Sequence, residues 1–191
     1  MSDGYAGQAQ LTDGTELNAQ ALFIKRLLAQ VHTATIARVV AVHAGTVDVL
    51  PLVNQLDGDG KATPHETVYG LPYFRLQGGA SAVIIDPVVG DLGIVVFASR
   101  DLTAVKATRG QANPGSRRRF SMADGMYLGG LLNGVPVRFV RISAAGLELV
   151  SPDQPVTITS PDVRVIGSLL THNGVNVGST HTHGGTTGAP R

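Results

Sequence analysis

Short segments in which apolar and polar residues alternate recur between residues 126 and 166. They cover residues 137–142, 147–150, 156–159 and 163–166, and the tripeptide Ser-Pro-Asp breaks them at residues 151–153 and 160–162. Such strands are too short, and too poor in bulky residues, to close a core within one chain. Repeats that cannot bury an apolar face alone stack on further copies, and the chain holds no more of them. The pattern therefore predicts an intertwined oligomer with Val, Ile and Leu facing a shared axis; an ordinary meander packed on the rest of the chain is the alternative.

A compact β domain is predicted ahead of these segments. Residues 35–42 and 46–50 alternate with period two around Ala44-Gly45, which is typical of a hairpin. Further strands are expected at residues 67–71, 82–85 and 92–98, with a hairpin tip at residues 57–61. Short strands joined by glycine turns also suit a chain with 24 Gly and no Trp. They predict a small barrel or sandwich of about a hundred residues.

One helix is predicted before the β domain, behind a polar, glycine-rich arm at residues 1–15. Residues 16–31 place Leu17, Ala21, Ile24, Leu28 and Val31 at helical spacing. Packing on the helix's own domain and packing on a neighbouring subunit both agree with this stripe. Residues 100–120 are polar and turn-rich, which is typical of a connector.

The composition excludes several classes of site. The 191-residue chain has no Cys, so disulfides, thiolate catalysis and cysteine zinc sites are ruled out. Its net charge of +1 leaves no basic excess for a nucleic-acid backbone, and the run Arg117-Arg118-Arg119 is expected to be a solvated loop. Neither a signal peptide nor a membrane span is recognisable, so the chain is expected to be made in soluble form.

Two histidines stand one residue apart near the end of the chain, His181 and His183. In an extended strand such residues share a face, with Cα atoms about 6–7 Å apart. Two imidazoles alone do not fill a metal's coordination sphere, and an isolated His-x-His is a weak signal. Three copies around an axis would supply six nitrogens, a set that suits octahedral iron rather than zinc. His172, beside the turn signal Asn173-Gly174, is expected to be a turn-flanking side chain, and His32, His43 and His65 are given no role.

Four stretches resemble a known family: residues 32–39 (HTATIARV), 90–101 (GDLGIVVFASRD), 124–130 (DGMYLGG) and 173–185 (NGVNVGSTHTHGG). They are similar to central spike proteins of contractile phage-tail baseplates, in the baseplate assembly protein V family and its subgroup with the Gp138-type N-terminal OB domain. The last stretch is the most specific.

The resemblance implies a mainly β fold with an N-terminal arm and helix (residues 1–32), an OB-fold barrel (33–105), a connector (106–125), an intertwined trimeric β-helix (126–170) and a pointed apex (171–191). It implies that His181 and His183 of three chains bind one iron ion on the three-fold axis. It also implies a non-enzymatic, cell-puncturing homotrimer that contacts baseplate hub and tail tube proteins. This spike would be made in the host cytoplasm, lie in the virion at the tip of the tail baseplate, and act at the host outer membrane.

Two other functions remain open at this point. An iron-dependent enzyme would need a carboxylate beside His181 and His183, yet no acidic residue follows Asp162. A cell-wall-degrading enzyme would need paired carboxylates or an activated nucleophile, and no such motif is visible. An OB-fold nucleic-acid-binding module is disfavoured by the charge balance and by the small number of aromatic residues.

Overall fold

The computed structural model describes residues 16–56 and 60–178. This part of the chain is mainly β-structure, as expected, and divides into two compact units between Val135 and Pro136. No helix within it is long and apolar enough to cross a membrane. The helices are α1 (Glu16–Ala29) and α2 (Thr103–Thr108); the strands are β1 (Ala34–His43), β2 (Thr46–Pro51), β3 (Gln55–Leu56), β4 (Ala62–Thr63), β5 (Val68–Pro72), β6 (Leu76–Gly78), β7 (Ser81–Val83), β8 (Leu92–Phe97), β9 (Gly125–Gly130), β10 (Phe139–Ser143), β11 (Gly146–Val150), β12 (Thr171–His172) and β13 (Val175–Asn176).

The first unit is organised around a five-stranded antiparallel sheet with the order β5-β2-β1-β8-β9. Its two edge strands approach each other just beyond β5, where Tyr73 and Tyr127 form a parallel bridge. There the Phe74 N–H donates a hydrogen bond to the Tyr127 carbonyl at 2.7 Å. The sheet is therefore strongly curved, with its edges in contact at this point.

Local turn signals in this unit predicted the pairing of neighbouring strands. The β1–β2 hairpin forms around Gly45, which has a φ of +83° that favours glycine. The strands expected at residues 67–71 and 92–98 are confirmed as β5 and β8, whereas the one expected at residues 82–85 is β7 and ends at Val83. The hairpin β3–β4 encloses the tip expected at residues 57–61, of which residues 57–59 lie outside the described part.

The core of the first unit consists mostly of small and medium apolar side chains on the strands of the main sheet. Its fully buried apolar residues are Ala37, Val39, Val47, Val49, Leu71, Val95 and Tyr127. Tyr127 fits only because residue 93 is a glycine. A Cβ atom on Gly93 would lie 2.4 Å from the Tyr127 ring and 2.3 Å from the Gly129 carbonyl oxygen.

The connector is more ordered than the sequence suggested. Residues 100–120 were expected to be a polar, turn-rich connector; they contain the helix α2, and a 3₁₀ turn at Met122–Asp124 follows them. The strand β9 then pairs with β8 in the first sheet, although the repeat region was expected to begin at residue 126. The structure places the boundary between units after Val135.

The second unit contains two separate hairpins, β10–β11 and β12–β13. The segments at residues 156–159 and 163–166 were expected to be strands, but they form none within the chain. A strand needs a partner to satisfy its N–H and C=O groups, and no other segment of residues 136–178 lies paired with them. Both Ser-Pro-Asp breaks are turns, in which the Ser151 hydroxyl donates to the Gln154 carbonyl and the Ser160 hydroxyl to the Asp162 carbonyl.

Candidate functional site

The predicted metal ligands His181 and His183 lie outside the described residues. Within residues 16–56 and 60–178, no group of three or more His, Asp or Glu side chains is placed to hold a metal ion. His172 lies on β12 and is exposed. The described residues of the second unit are the segment that leads to those two histidines.

The hairpin β12–β13 is the last described element before the two histidines. His172 lies opposite Val175, and the turn residues Asn173 and Gly174 have φ values of +50° and +80°. Positive φ at both central residues defines a type I′ turn, which Asn-Gly favours. The Val177 N–H also donates to the Leu170 carbonyl at 2.8 Å, so pairing extends beyond the two strands. The predicted Asn173-Gly174 turn is confirmed.

One face of the hairpin β10–β11 is entirely apolar. Val140 lies opposite Leu149, and Ile142 lies opposite Leu147, so these four side chains alternate onto the same side of the two strands. Their exposed fractions are 65%, 58%, 82% and 70%, in the order named. A two-stranded hairpin is at best marginally stable in water without cover for its apolar face.

The opposite face of the same hairpin carries its charged side chains, together with Phe139 and Val150. Arg141 lies opposite Glu148, with 3.4 Å between its Nη1 and a carboxylate oxygen. The Arg141 guanidinium also stacks over the Phe139 ring, 4.5 Å from the ring centroid. The hairpin is therefore amphipathic, with one face suited to water and one suited to burial.

The apolar exposure extends beyond the hairpin. The second unit also exposes Val156, Ile158, Val163, Val165 and Ile166, by fractions from 51% to 96%. No residue in 136–178 is fully buried. Extensive exposed apolar surface in a soluble protein marks an interaction site.

A charged cluster in the first unit includes one arginine from the run at residues 117–119. Arg118 Nε lies 2.7 Å from one oxygen of Asp124, and its Nη2 lies 3.0 Å from the other. The same Nη2 lies 3.0 Å from Asp101. Both carboxylates are buried, with 1% and 5% of their residue surfaces exposed. The run was expected to be a solvated loop; residues 117–119 are exposed and lie outside helices and strands, and Arg118 in addition binds two buried carboxylates.

Hydrogen bonds in this cluster stabilise the charged carboxylates. Bonds from Thr103 and Ser116, with the charge of Arg118 nearby, lower the pKa of Asp101 to about 2. The bonds from Arg118 lower the pKa of Asp124. The cluster thus ties residues 101–103 and 116–118 to the start of β9. Sequence reasoning missed it because its members are far apart and carry no motif.

Two carboxylates line a cavity of the first unit, and they bear on the hydrolase alternative. The cavity measures about 380 Å³, and Asp86 and Asp91 lie in its wall. The Tyr73 hydroxyl donates to Asp86 at 2.7 Å, and the Val88 N–H donates to Asp91 at 2.8 Å. Asp86 thus has its partner on the segment that follows β5, and Asp91 has its partner within its own loop.

The remaining histidines fall into two places. His43 Nε2 lies 2.9 Å from Asp48, whose other oxygen accepts a hydrogen bond from the Gly70 N–H. These two bonds lower the pKa of Asp48 and connect β1, β2 and β5. His32 and His65, which the sequence left without a role, line one cavity.

A scan against protein-family models finds no match for the chain, and a search of curated proteins finds no significantly similar sequence.

Proposed function

We propose that the protein is a structural spike at the tip of a contractile phage tail or a related injection machine, which pierces the host cell envelope when the sheath contracts. The observation that carries this proposal is the exposed apolar surface of the second unit. Residues 136–178 expose an apolar hairpin face and bury no residue fully, so they need other chains to fold against. The four stretches that resemble spike proteins are the reason for proposing that the assembled chains form a spike.

We infer that the first unit is an OB-fold barrel. The main sheet has the order β5-β2-β1-β8-β9. If these five strands are numbered along the chain, the order is 3-2-1-4-5, and the third and fifth strands meet through a parallel bridge. A five-stranded, partly open Greek-key barrel has this arrangement. In a spike, this barrel would be the base that baseplate hub and tail tube proteins contact.

Three copies of the second unit would form an intertwined β-helix. Burying a Val, Leu or Ile side chain contributes about 1.5–3 kcal/mol. Val140, Ile142, Leu147 and Leu149 are on average about two-thirds exposed, so covering them contributes about 4–8 kcal/mol per chain. Residues 156–159 and 163–166 would gain strand partners from the other two chains. Closing the backbone hydrogen bonds between chains leaves no free strand edges and gives a stiff rod.

The apex would be held by His181 and His183 of the three chains around one iron ion. Imidazole nitrogens suit iron, and six of them leave it no open coordination position. The ion would therefore supply a cross-link between chain ends rather than catalysis, and the protein would not be an enzyme. In this proposal the homotrimer lies in the virion at the tip of the tail baseplate and acts at the host outer membrane after synthesis in the host cytoplasm.

The test measures molecular mass and metal content on the same purified sample. A spike gives a trimer with about one iron for three chains, by the six-ligand argument. His181→Ala with His183→Ala removes the iron and keeps the trimer, because the β-helix holds the chains together. His172→Ala is the matched control and keeps both.

Other results would contradict the proposal in distinct ways. A monomer with one metal ion per chain would favour the iron-dependent enzyme. A monomer that binds single-stranded nucleic acid with strong salt dependence would favour the OB nucleic-acid module. A double variant that falls apart into monomers would show that the metal, and not the β-helix, holds the chains.

A further inference from the structure

Two histidines that are 33 positions apart in the sequence meet at one cavity in the first unit. His32 lies between α1 and β1, and His65 lies between β4 and β5. The cavity measures about 230 Å³, and both residues are half-buried in its wall. Chain folding, not a local motif, brings them together.

His32 and His65 line the same cavity, in which His32 also packs against an aromatic ring. The ring of His32 packs edge-on against Phe97, with 6.1 Å between ring centroids. Burial lowers the pKa of His32, and the charge that His65 can carry lowers it further. In its neutral form, an imidazole has a free nitrogen lone pair that can bind a metal ion.

The other residues of the cavity complete a neutral set of donors. Asn54, Gln55 and Met122, whose side chains carry amide and thioether groups, also line it. Among the described residues that line the cavity there is no Asp or Glu. Ions such as Mg²⁺ and Ca²⁺ need carboxylate oxygens, whereas imidazole and thioether groups suit late first-row transition metals.

We propose that His32 and His65 form a binding site for one divalent late transition-metal ion, with Cu²⁺ bound more tightly than Zn²⁺. The order follows from the general affinity series for nitrogen ligands. With two protein imidazoles, the remaining positions are filled by water or by the amide and thioether groups of the wall. Bound there, the ion fastens the segment that follows β4 to the entry of β1. The site does not depend on the proposed spike function.

Zinc titration by calorimetry tests the site, using the full chain with His181→Ala and His183→Ala so that the tail contributes no ligands. We expect one Zn²⁺ per chain in this background. Adding His65→Ala or His32→Ala should weaken binding at least tenfold, since one of two imidazoles is lost. Adding His172→Ala, which removes an exposed histidine of the second unit, should change nothing.

A second variant and a second readout separate lost ligands from lost folding. His65→Gln keeps a polar side chain of similar size but has no imidazole, and circular dichroism confirms its fold. The electron paramagnetic resonance spectrum of bound Cu²⁺ should show hyperfine coupling to two imidazole nitrogens. In His65→Gln, it should show coupling to only one. Absence of a zinc site in the background protein, or equal affinity in the folded His65→Gln variant, would overturn the proposal.

Discussion

The substitution Ile142→Ala tests whether the second unit is assembled with other chains or isolated. Ile142 lies on β10 opposite Leu147, in the apolar face of the hairpin, and 82% of its surface is exposed in the single chain. If that exposure persists in solution, the side chain contributes little. If three copies cover it, the same side chain becomes part of a shared core.

The two cases differ greatly in energy. An exposed substitution away from special features changes stability by about 0.5 kcal/mol or less. Truncation of a buried Ile to Ala costs about 2–5 kcal/mol for each side chain. A trimer carries three copies, so we expect Ile142→Ala to cost about 6–15 kcal/mol per trimer. The barrel unit, which does not contain this residue, should be unaffected.

The measurement is sedimentation velocity of the wild type and the variant across a dilution series, with heating in detergent as a second readout. We expect the wild-type trimer to persist and the Ile142→Ala trimer to dissociate at higher concentration and lower temperature. Glu148→Gln is the matched control on the polar face of the same hairpin. Its exposed ion pair with Arg141 contributes about 0–1 kcal/mol, so its trimer should behave as wild type.

Two results would refute this reasoning. A wild-type protein that sediments as a monomer at every concentration would show that the apolar face stays open. A variant trimer with unchanged dilution and heat resistance would show that Ile142 lies outside the interface, even though the chains assemble.

Two further predictions concern the first unit. Gly93→Ala should destabilise it by about 1–3 kcal/mol or more through overpacking against Tyr127. Gly134→Ala is the control, because its added Cβ meets nothing within 4 Å. Equal melting temperatures of the two variants would contradict the prediction. Because the folded pKa of Asp101 is about 2, below its unfolded value, the stability it contributes is present above about pH 4 and is lost as the pH falls toward about 2. The urea midpoint of the wild type should therefore drop over that range, and the midpoint of Asp101→Asn should drop less. Identical pH profiles of the two proteins would exclude the effect.

Features encoded by neighbouring residues could be predicted from the sequence. Ala44-Gly45 between alternating segments predicted the β1–β2 hairpin, and Asn173-Gly174 predicted the turn between β12 and β13. Gly45 in the first turn, and Asn173 with Gly174 in the second, have positive φ values.

Features that depend on contacts between distant residues could not be predicted. Nothing beside Arg118 indicates that it binds Asp101 and Asp124, and nothing links His32 to His65 before the chain folds. The helix α2 was missed because its six residues lack an apolar stripe and bury no side chain. For residues 156–159 and 163–166 the alternation suits a strand, but a strand also needs a partner, which the pattern does not identify.

The order of the two units along the chain has a consequence for synthesis on the ribosome. The strands of the curved sheet, from β1 to β9, are translated before the open apolar hairpin β10–β11. The first unit can thus reach its own core as it emerges, before the aggregation-prone segment exists. The hairpin then emerges attached to a unit whose strands are already complete.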